Sequence, residues 1–329
     1  MTRTSSGPRG PRHSVRASLV GALAWITCVA PAAVATAATP AQQLVILSTT
    51  DVKGMTSPCG CSIPKGGLSR RAAFTDSLRS VYPHVMLVDN GGFFPDDAKR
   101  TDAAWFLMDM MSLLDVKAVG TSPSELRLGF GPLMANVQRT GLPLTSANLV
   151  DAKTGRPVLA PYVVATSGDL KVGFFSLMSD TADLGRLRDT VKVLPPAETA
   201  RATVAELRKQ GATVVVLLSQ LGRTGSEDLV GAVPGIDAVI CGRNVPLLQS
   251  GHLIGGTVAS YGGEQGHYLS RVLFDLGSDG HVTAGQCQCF ALTNEVGEKE
   301  SVAKMVKTFE DGLAIRNGTT AKSAATGGK

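Results

Sequence analysis

Residues 44–54 read LVILSTTDVKG, an apolar run that leads into a carboxylate, a cation and a glycine. The run at 44–48 predicts a buried strand, because it is short, continuously apolar and rich in β-branched residues. A second apolar run at 85–89 predicts another strand, and residues 70–81 between the two have the spacing of a helix. This order of strand, helix and strand indicates a parallel β-α-β unit.

The remainder of the chain continues this alternation before its strands become antiparallel around a hairpin turn at Ser278-Asp279-Gly280. The order predicts two stacked sheets covered by helices, in one domain over residues 38–316 without repeat or linker. The small, polar segment 317–329 is expected to be a frayed tail. The further predicted strands are 117–120, 163–165, 171–177, 213–219, 238–241, 258–260, 269–276 and 282–292, and the further predicted helices are 102–114, 197–210 and 302–313.

Composition and charge exclude several classes of protein. Hydrophobic residues make up 43% of the 329 residues and charged residues 18%, which excludes a disordered or collagen-like chain. The first 37 residues carry four arginines and no acid. Without those four, the 32 basic residues nearly balance the 27 acidic ones, so no nucleic-acid-binding surface is predicted.

The first 37 residues have the three parts of a secretory signal. Residues 1–16 are basic, residues 17–30 are apolar, and small residues lead to Ala35-Thr36-Ala37. We expect cleavage after Ala37 and export to the periplasm or the extracellular space, with no stable membrane span left in the mature chain. The alternatives are an uncleaved anchor and a lipid attached to Cys28.

A series of short motifs carries a family resemblance. They are TTDVKG at 49–54, GGLSRRA at 66–72, LVDNGG at 87–92, ELRLG at 125–129, LTSANL at 144–149, VLLSQLG at 216–222 and GIDAVICGRN at 235–244. In order and spacing they resemble the secreted 5′-nucleotidase / UDP-sugar hydrolase family of calcineurin-like metallophosphoesterases. The resemblance spans roughly residues 44–292 and implies a four-layer α-β-β-α sandwich of two stacked mixed sheets. We expect the family's separate C-terminal nucleotide-recognition domain to be absent.

The resemblance also implies two divalent metal ions, which activate a water molecule and hold the phosphoryl oxygens. In the family their ligands come from D-x-H, G-D, G-N-H-E, a lone histidine after a strand, and G-H-x-H. Asp51 matches the first carboxylate, but Lys53 stands where the first histidine belongs. Gly92 replaces the bridging aspartate, and Ser124 stands at the position of the catalytic histidine.

The later ligand positions are replaced as well. Gln220 stands at the lone histidine, and Arg243 and Val245 stand at the two histidines of G-H-x-H. Lysine and arginine are cations that repel a divalent metal, and valine offers no donor atom. Asp51 is then the only family ligand retained, and no cofactor is predicted.

We therefore expect an exported protein that has lost two-metal hydrolysis and acts as a binding or scaffold module. The alternatives are an active phosphoric-ester hydrolase with a rebuilt site and a thiol-based redox protein. Lys53 and Arg243 are expected to pair with Asp51 and nearby acids; alternatively, they attract a phosphate-containing ligand or another small anion. The candidate binding residues are Asp51, Lys53, Asp89, Glu125, Asn148, Gln220, Arg243 and Asn244.

Five cysteines follow the leader, and export places them in an oxidising compartment. Cys59-Gly60-Cys61 follows the first strand, and the family's fold brings Cys241 to the same rim. We expect structural disulfides, with one of the pair bonded to a distant cysteine and one buried thiol to spare. The alternatives are a redox centre or soft-metal site of these three, and a four-thiolate zinc site of the pair with Cys287 and Cys289.

Overall fold

A computed structural model describes residues 42–318 of the chain. The predicted leader, with Cys28 and the cleavage site after Ala37, and the tail beyond residue 318 lie outside the described residues. Within the described part, no helix is long and apolar enough to cross a membrane.

Residues 42–318 contain thirteen strands and seven α-helices. The strands are β1 Gln42–Thr49, β2 His84–Asp89, β3 Val116–Val119, β4 Leu149–Asp151, β5 Tyr162–Ser167, β6 Leu170–Met178, β7 Val191–Val193, β8 Val214–Gln220, β9 Ala238–Cys241, β10 Leu248–Ile254, β11 Thr257–Tyr261, β12 Tyr268–Leu276 and β13 Val282–Ala291. The helices are α1 Leu68–Arg79, α2 Thr101–Leu113, α3 Pro123–Leu126, α4 Phe130–Thr140, α5 Pro196–Lys209, α6 Gly222–Ala232 and α7 Glu300–Arg316.

The two predicted stacked sheets are confirmed, and strand β10 joins them along one edge. The first half has the order β3-β2-β1-β12-β13 and the second has β11-β9-β8-β6-β5. Strand β10 pairs antiparallel with both β11 and β13, so the strand order runs unbroken through eleven strands. Its register with β13 is set at Ser250 opposite Gln288. A separate two-stranded sheet joins β4 to β7.

Alternating side chains of the central strands fill three apolar layers. In β1, Leu44 and Ile46 pack between the two half-sheets, while Val45 and Leu47 pack under helices. Strand β8 behaves in the same way on the other half-sheet, with Val216 in the middle layer and Leu217 under its own helices. Because both faces of these strands are buried, their sequences are continuously apolar. Two helical layers outside two sheets make the α-β-β-α sandwich.

Parallel pairing brings four strand ends to one rim of the sandwich. Strand β1 is parallel to β2, and β8 is parallel to both β6 and β9. The loops after β1, β2, β8 and β9 are in hydrogen-bonding contact with one another, as described below. Ligand sites in sheets of this kind form beyond the carboxyl ends of the strands.

Helices α4 and α6 were missed by the sequence patterns, because α4 contains a glycine and a proline and α6 contains several glycines. Helix α4 begins FGP, and α6 has three glycines among eleven residues. Packing overrides the weak helix propensity, since Leu133 in α4 and Leu229 in α6 are buried against the sheets.

The middle apolar layer gives a test of the architecture. Phe274 on β12 is fully buried there, so we expect Phe274→Ala to lower the free energy of unfolding by about 3–5 kcal/mol. Leu253→Ala is the matched control, because Leu253 on β10 is 60% exposed and its change should stay within about 0.5 kcal/mol. Urea unfolding measures both, and equal effects would contradict this packing.

Candidate functional site

Asp51 is the centre of the rim, two residues beyond the end of β1. Its Oδ2 accepts hydrogen bonds from the backbone N–H of Arg243 at 2.8 Å and of Asn244 at 3.2 Å. Both donors have positive φ, and the curled loop directs two successive N–H groups at one oxygen. Burial raises the pKa of Asp51 to about 6, although these N–H groups and the Lys53 ammonium lower it.

Gly92 closes the other side of the Asp51 carboxylate. A Cβ atom added to Gly92 would lie 2.2 Å from Asp51 Oδ1 and 3.1 Å from the Asp51 Cα. Gly92 also has φ +72°, which side-chain-bearing residues rarely adopt. The Asp51 carboxylate therefore fills the place into which a side chain at residue 92 would project.

Glu125 holds the loop that contains Gly92. This fully buried side chain completes a capping box at the start of α3, where its Oε2 accepts from Ser122 N at 2.7 Å. It also accepts hydrogen bonds from the backbone N–H groups of Gly92, Phe93 and Phe94. The carboxylate thus acts as a fixed acceptor for the 92–94 loop. Ser124, at the family's catalytic histidine position, donates its hydroxyl to the same carboxylate at 2.8 Å.

A buried polar cluster of Thr50, Asn90 and Gln220 lies beneath the rim. Gln220 Nε2 donates to the Asn90 carbonyl at 2.9 Å, and Asn90 Nδ2 donates to Ser219 O at 3.1 Å. All three side chains crowd Gly242, where an added Cβ would lie 2.4–2.7 Å from them. Gln220 is thus a link between β8 and the loop after β2, and it is only 1% exposed.

Asp89 and Asn148 are structural members of the framework. Asp89 accepts from the Thr49 hydroxyl at 2.6 Å and lies 3.9 Å from Arg71 across a fully buried pair. Burial raises the pKa of Asp89 to about 6 despite that neighbouring cation. Asn148 is clamped between the backbones of Met178 and Leu194, and its side chain is fully buried.

The two rim cations differ in their pairing. Lys53 forms an ion pair with Glu264 and donates to Asn244 Oδ1 at 3.1 Å. Arg243 contacts Asp51 through its backbone, while its exposed guanidinium makes no hydrogen bond or ion pair within residues 42–318. The expected pairing with a nearby acid thus holds for the Lys53 side chain and not for the Arg243 side chain, because main-chain donors already occupy the Asp51 carboxylate.

The expected disulfide from Cys59 or Cys61 to a distant cysteine is wrong. Cys59 and Cys61 are bonded to each other, and the remaining cysteines of the described chain, Cys241, Cys287 and Cys289, are free and buried. They belong to strands β9 and β13, which hold their side chains in the core and out of reach of an exposed loop. Cys241 is fully buried, and burial raises its pKa to about 12. A resolving role for Cys241 and a four-thiolate zinc site therefore do not fit the structure.

The residues at this rim do not fit a pair of divalent metals. Across residues 42–318, no group of three or more His, Cys, Asp or Glu side chains lies close enough together to hold a metal ion. One oxygen of Asp51 is hydrogen-bonded to the protein backbone and the other abuts Gly92. A cation, Lys53, projects beside them.

Sequence patterns missed Thr50, Asn90 and Glu264, which complete the site. Thr50 and Asn90 sit inside recognised motifs but carry no family ligand role that would single them out. Glu264 follows β11, 211 residues from its partner Lys53, and only the fold brings the two together.

The chain is similar in sequence to part of a longer protein. No model of a known protein family matches the chain. The 2′,3′-cyclic-nucleotide 2′-phosphodiesterase/3′-nucleotidase of Yersinia enterocolitica is 25% identical over 300 residues, which cover 78% of this chain and 46% of the relative. The chain thus spans about half the length of this relative.

Solved structures share the architecture. The calcineurin-like phosphoesterase YfkN of Bacillus subtilis superposes with a TM-score of 0.75 at 21% identity, covering 84% of this chain and 99% of that one. The 5′-nucleotidase precursor of Thermus thermophilus gives 0.73 at 21% identity, covering 83% and 59%. At these identities the likeness concerns the fold.

The raised pKa of Asp51 predicts a pH-dependent stability. Between its ordinary pKa of 3.8 and about 6, the folded chain keeps a proton that the unfolded chain releases. The stabilisation that protonated Asp51 gives the folded chain is therefore fully present below pH 4, and it is lost as the pH rises through 6. The free energy of unfolding of Asp51→Asn, taken relative to wild type, is therefore expected to be about 1–3 kcal/mol higher at pH 7 than at pH 4. Urea unfolding at both pH values measures this difference. The pH-dependent contribution of Asp89 cancels in the comparison, because wild type and variant both retain that residue. A pH-independent difference would contradict the burial of this carboxylate.

Proposed function

We propose that this chain, a member of the 5′-nucleotidase and calcineurin-like metallophosphoesterase family, is an exported binding module that has lost two-metal phosphoester hydrolysis. The observation that carries the proposal is the environment of Asp51. Its carboxylate, the one family ligand retained, receives its hydrogen bonds from the Arg243 and Asn244 backbone and lies against Gly92. These contacts satisfy the Asp51 carboxylate without a metal ion.

The replaced ligand positions support the same conclusion. Lys53 and Arg243 place positive charge where the family has neutral histidines, and Gln220 is turned inward to the Asn90 carbonyl. Ser124 is bound to Glu125 and lacks the imidazole that would move a proton. Two-metal hydrolysis needs a metal-activated water, and the replaced side chains offer no ligands to hold the metals that would supply it.

Small anions are the ligands that fit the rim best. The Arg243 guanidinium is exposed and has no acidic partner in the described chain, so it can bind a phosphate or carboxylate group. Beside it lies a cleft of about 430 Å³, bordered by Asn244, Pro246, Glu264, His267 and Tyr268, in which the Glu264 carboxylate is paired with Lys53. Burial lowers the pKa of His267, which leaves its imidazole neutral at pH 7 and able to donate or accept.

Export is part of the proposal and rests on the sequence of residues 1–37. A basic segment, an apolar run and Ala35-Thr36-Ala37 form a secretory signal. The Cys59–Cys61 disulfide supports an oxidising compartment for the mature chain.

A phosphoesterase assay in added Mn²⁺ tests the loss of hydrolysis. With bis(p-nitrophenyl) phosphate, 2′,3′-cyclic AMP and AMP as substrates, we expect no turnover above background and no difference between wild type and Asp51→Asn. Metal analysis of the purified protein should find no stoichiometric divalent ion. Turnover that falls about 100-fold or more in Asp51→Asn would show a working metal site and overturn the proposal.

Titration with inorganic phosphate tests the anion site. One charged hydrogen-bonded pair contributes about 1.5–3 kcal/mol, so we expect a Kd in the millimolar range or weaker. Arg243→Ala should abolish the binding, and salt should weaken it in wild type. Arg201→Ala is the control, because Arg201 is an exposed arginine on α5, away from the rim. Equal binding by wild type and Arg243→Ala, measured by calorimetry at low salt, would remove the anion site from the proposal.

A further inference from the structure

We propose that the Cys59–Cys61 disulfide exchanges with external thiols, giving the chain a two-electron redox activity separate from anion binding. The external partner is a thiol-containing molecule, either a small thiol or a cysteine pair of another polypeptide. The proposal rests on the accessibility of the bridge, its fixed base and the asymmetry of its two sulfurs.

The bridge lies at the tip of an exposed loop. Residues 60–64 are all exposed, and they include Cys61 and Ile63, whose side chain is 61% exposed. Cys59 is only partly buried. An attacking thiolate can thus reach Cys61 without opening the fold, and Ile63 offers an apolar contact beside it. Access of this kind is one of the factors that set exchange rates.

The base of the loop is held firmly while its tip is free. Cys59 N donates to the Lys65 carbonyl at 2.9 Å, and Gly66 N donates to the Leu292 carbonyl at 2.9 Å. Gly66 and Gly67 pass so close to Gly266 and Pro58 that an added Cβ would lie 2.9 Å from each neighbour. The disulfide sits beyond these anchors, so its reduction leaves the contacts that fix the loop in place.

The surroundings favour Cys59 as the leaving sulfur. Its Sγ accepts a hydrogen bond from Lys65 N at 3.3 Å, which stabilises a thiolate. Lys65 is also the one cation of residues 52–75 without an acidic partner in the described chain: its ammonium donates to the Tyr268 hydroxyl at 3.3 Å, whereas Lys53, Arg70 and Arg71 are paired with acids. An N–H donor and a nearby lysine are conditions that favour a cysteine thiolate.

These features assign an order of steps. An external thiolate attacks Cys61 Sγ, the Cys59–Cys61 bond breaks, and Cys59 leaves with the electron pair as a thiolate. A second external thiolate then attacks the external sulfur of the mixed disulfide, and Cys61 leaves as a thiolate. Two external thiols are oxidised to a disulfide, their two protons are released to solvent or to the new thiolates, and the protein disulfide is reduced to a dithiol.

Exchange is expected to be confined to this pair. The other three cysteines of the described chain are all buried. Cys241 lies under the helices of the second half-sheet, and the Cys289 thiol is hydrogen-bonded to the Ser270 hydroxyl and the Tyr261 carbonyl. Cys287 is the most accessible of the three at 8% exposed, so exchange at these thiols is expected to be much slower than at Cys61.

The test uses the full chain with two probes, reduced glutathione and a reduced two-cysteine peptide. At millimolar thiol, we expect alkylation and mass spectrometry to show Cys59 and Cys61 reduced and the probe oxidised, with the melting temperature unchanged. Exchange with glutathione identifies a small-thiol source and exchange with the peptide a polypeptide source, and either supports the proposal. The Cys59→Ser/Cys61→Ser double variant is the control, because it keeps the other cysteines and should oxidise neither probe beyond background.

The assigned order is tested by a brief glutathione pulse quenched with acid. We expect at least a 10-fold excess of glutathione on Cys61 over Cys59, a difference in occupancy that a purely structural bridge would not produce. Glutathione mainly on Cys59 would overturn the order of attack. A pair that stays oxidised with both probes, or whose reduction lowers the melting temperature by several degrees, would overturn the proposal. These readouts follow thiols alone, so loss of anion binding leaves them unaffected.

Discussion

A buried carboxylate must be compensated by donors or by metal ions, and Asp51 is compensated by the backbone. The N–H groups of Arg243 and Asn244 reach it from the loop after β9, so this contact ties the first half-sheet to the second at the rim. Asp51 N in turn donates to the Gly91 carbonyl at 2.9 Å, which brings in the loop after β2. Three strand ends are thus joined around one charge, and the positions of the other rim residues follow from it.

The structure separates the framework of the family's fold from its chemistry. Glu125 and Asp89 keep their carboxylates, and each accepts hydrogen bonds from a backbone loop that it holds in place. The positions that the resemblance assigns to metal ligands hold a lysine, a glycine and an arginine. A fold of this size is stabilised by its apolar layers and its buried hydrogen bonds. Fold alone therefore does not determine activity.

The sequence predicted the framework better than the site. Apolar runs such as residues 44–48 report burial directly, and the four-layer sandwich was foreseen from them together with the motif order. The pairing of Lys53 with Glu264 was not, because contacts between distant loops leave no periodic signal. The Cys59–Cys61 bond was misjudged for a related reason: the predicted strands contain Cys241 and Cys287, but a strand pattern does not show whether a thiol in it can reach a distant loop.

The close approach of Gly92 to Asp51 bears on how this chain can change over evolutionary time. A Gly92→Asp substitution would place its Cβ 2.2 Å from Asp51 Oδ1, on a backbone of positive φ. Such a mutant would be strained on the present backbone, so a carboxylate at this position requires the 92–94 loop to move away from Asp51. The route to an aspartate at residue 92 therefore passes through an intermediate that is less stable than the present chain.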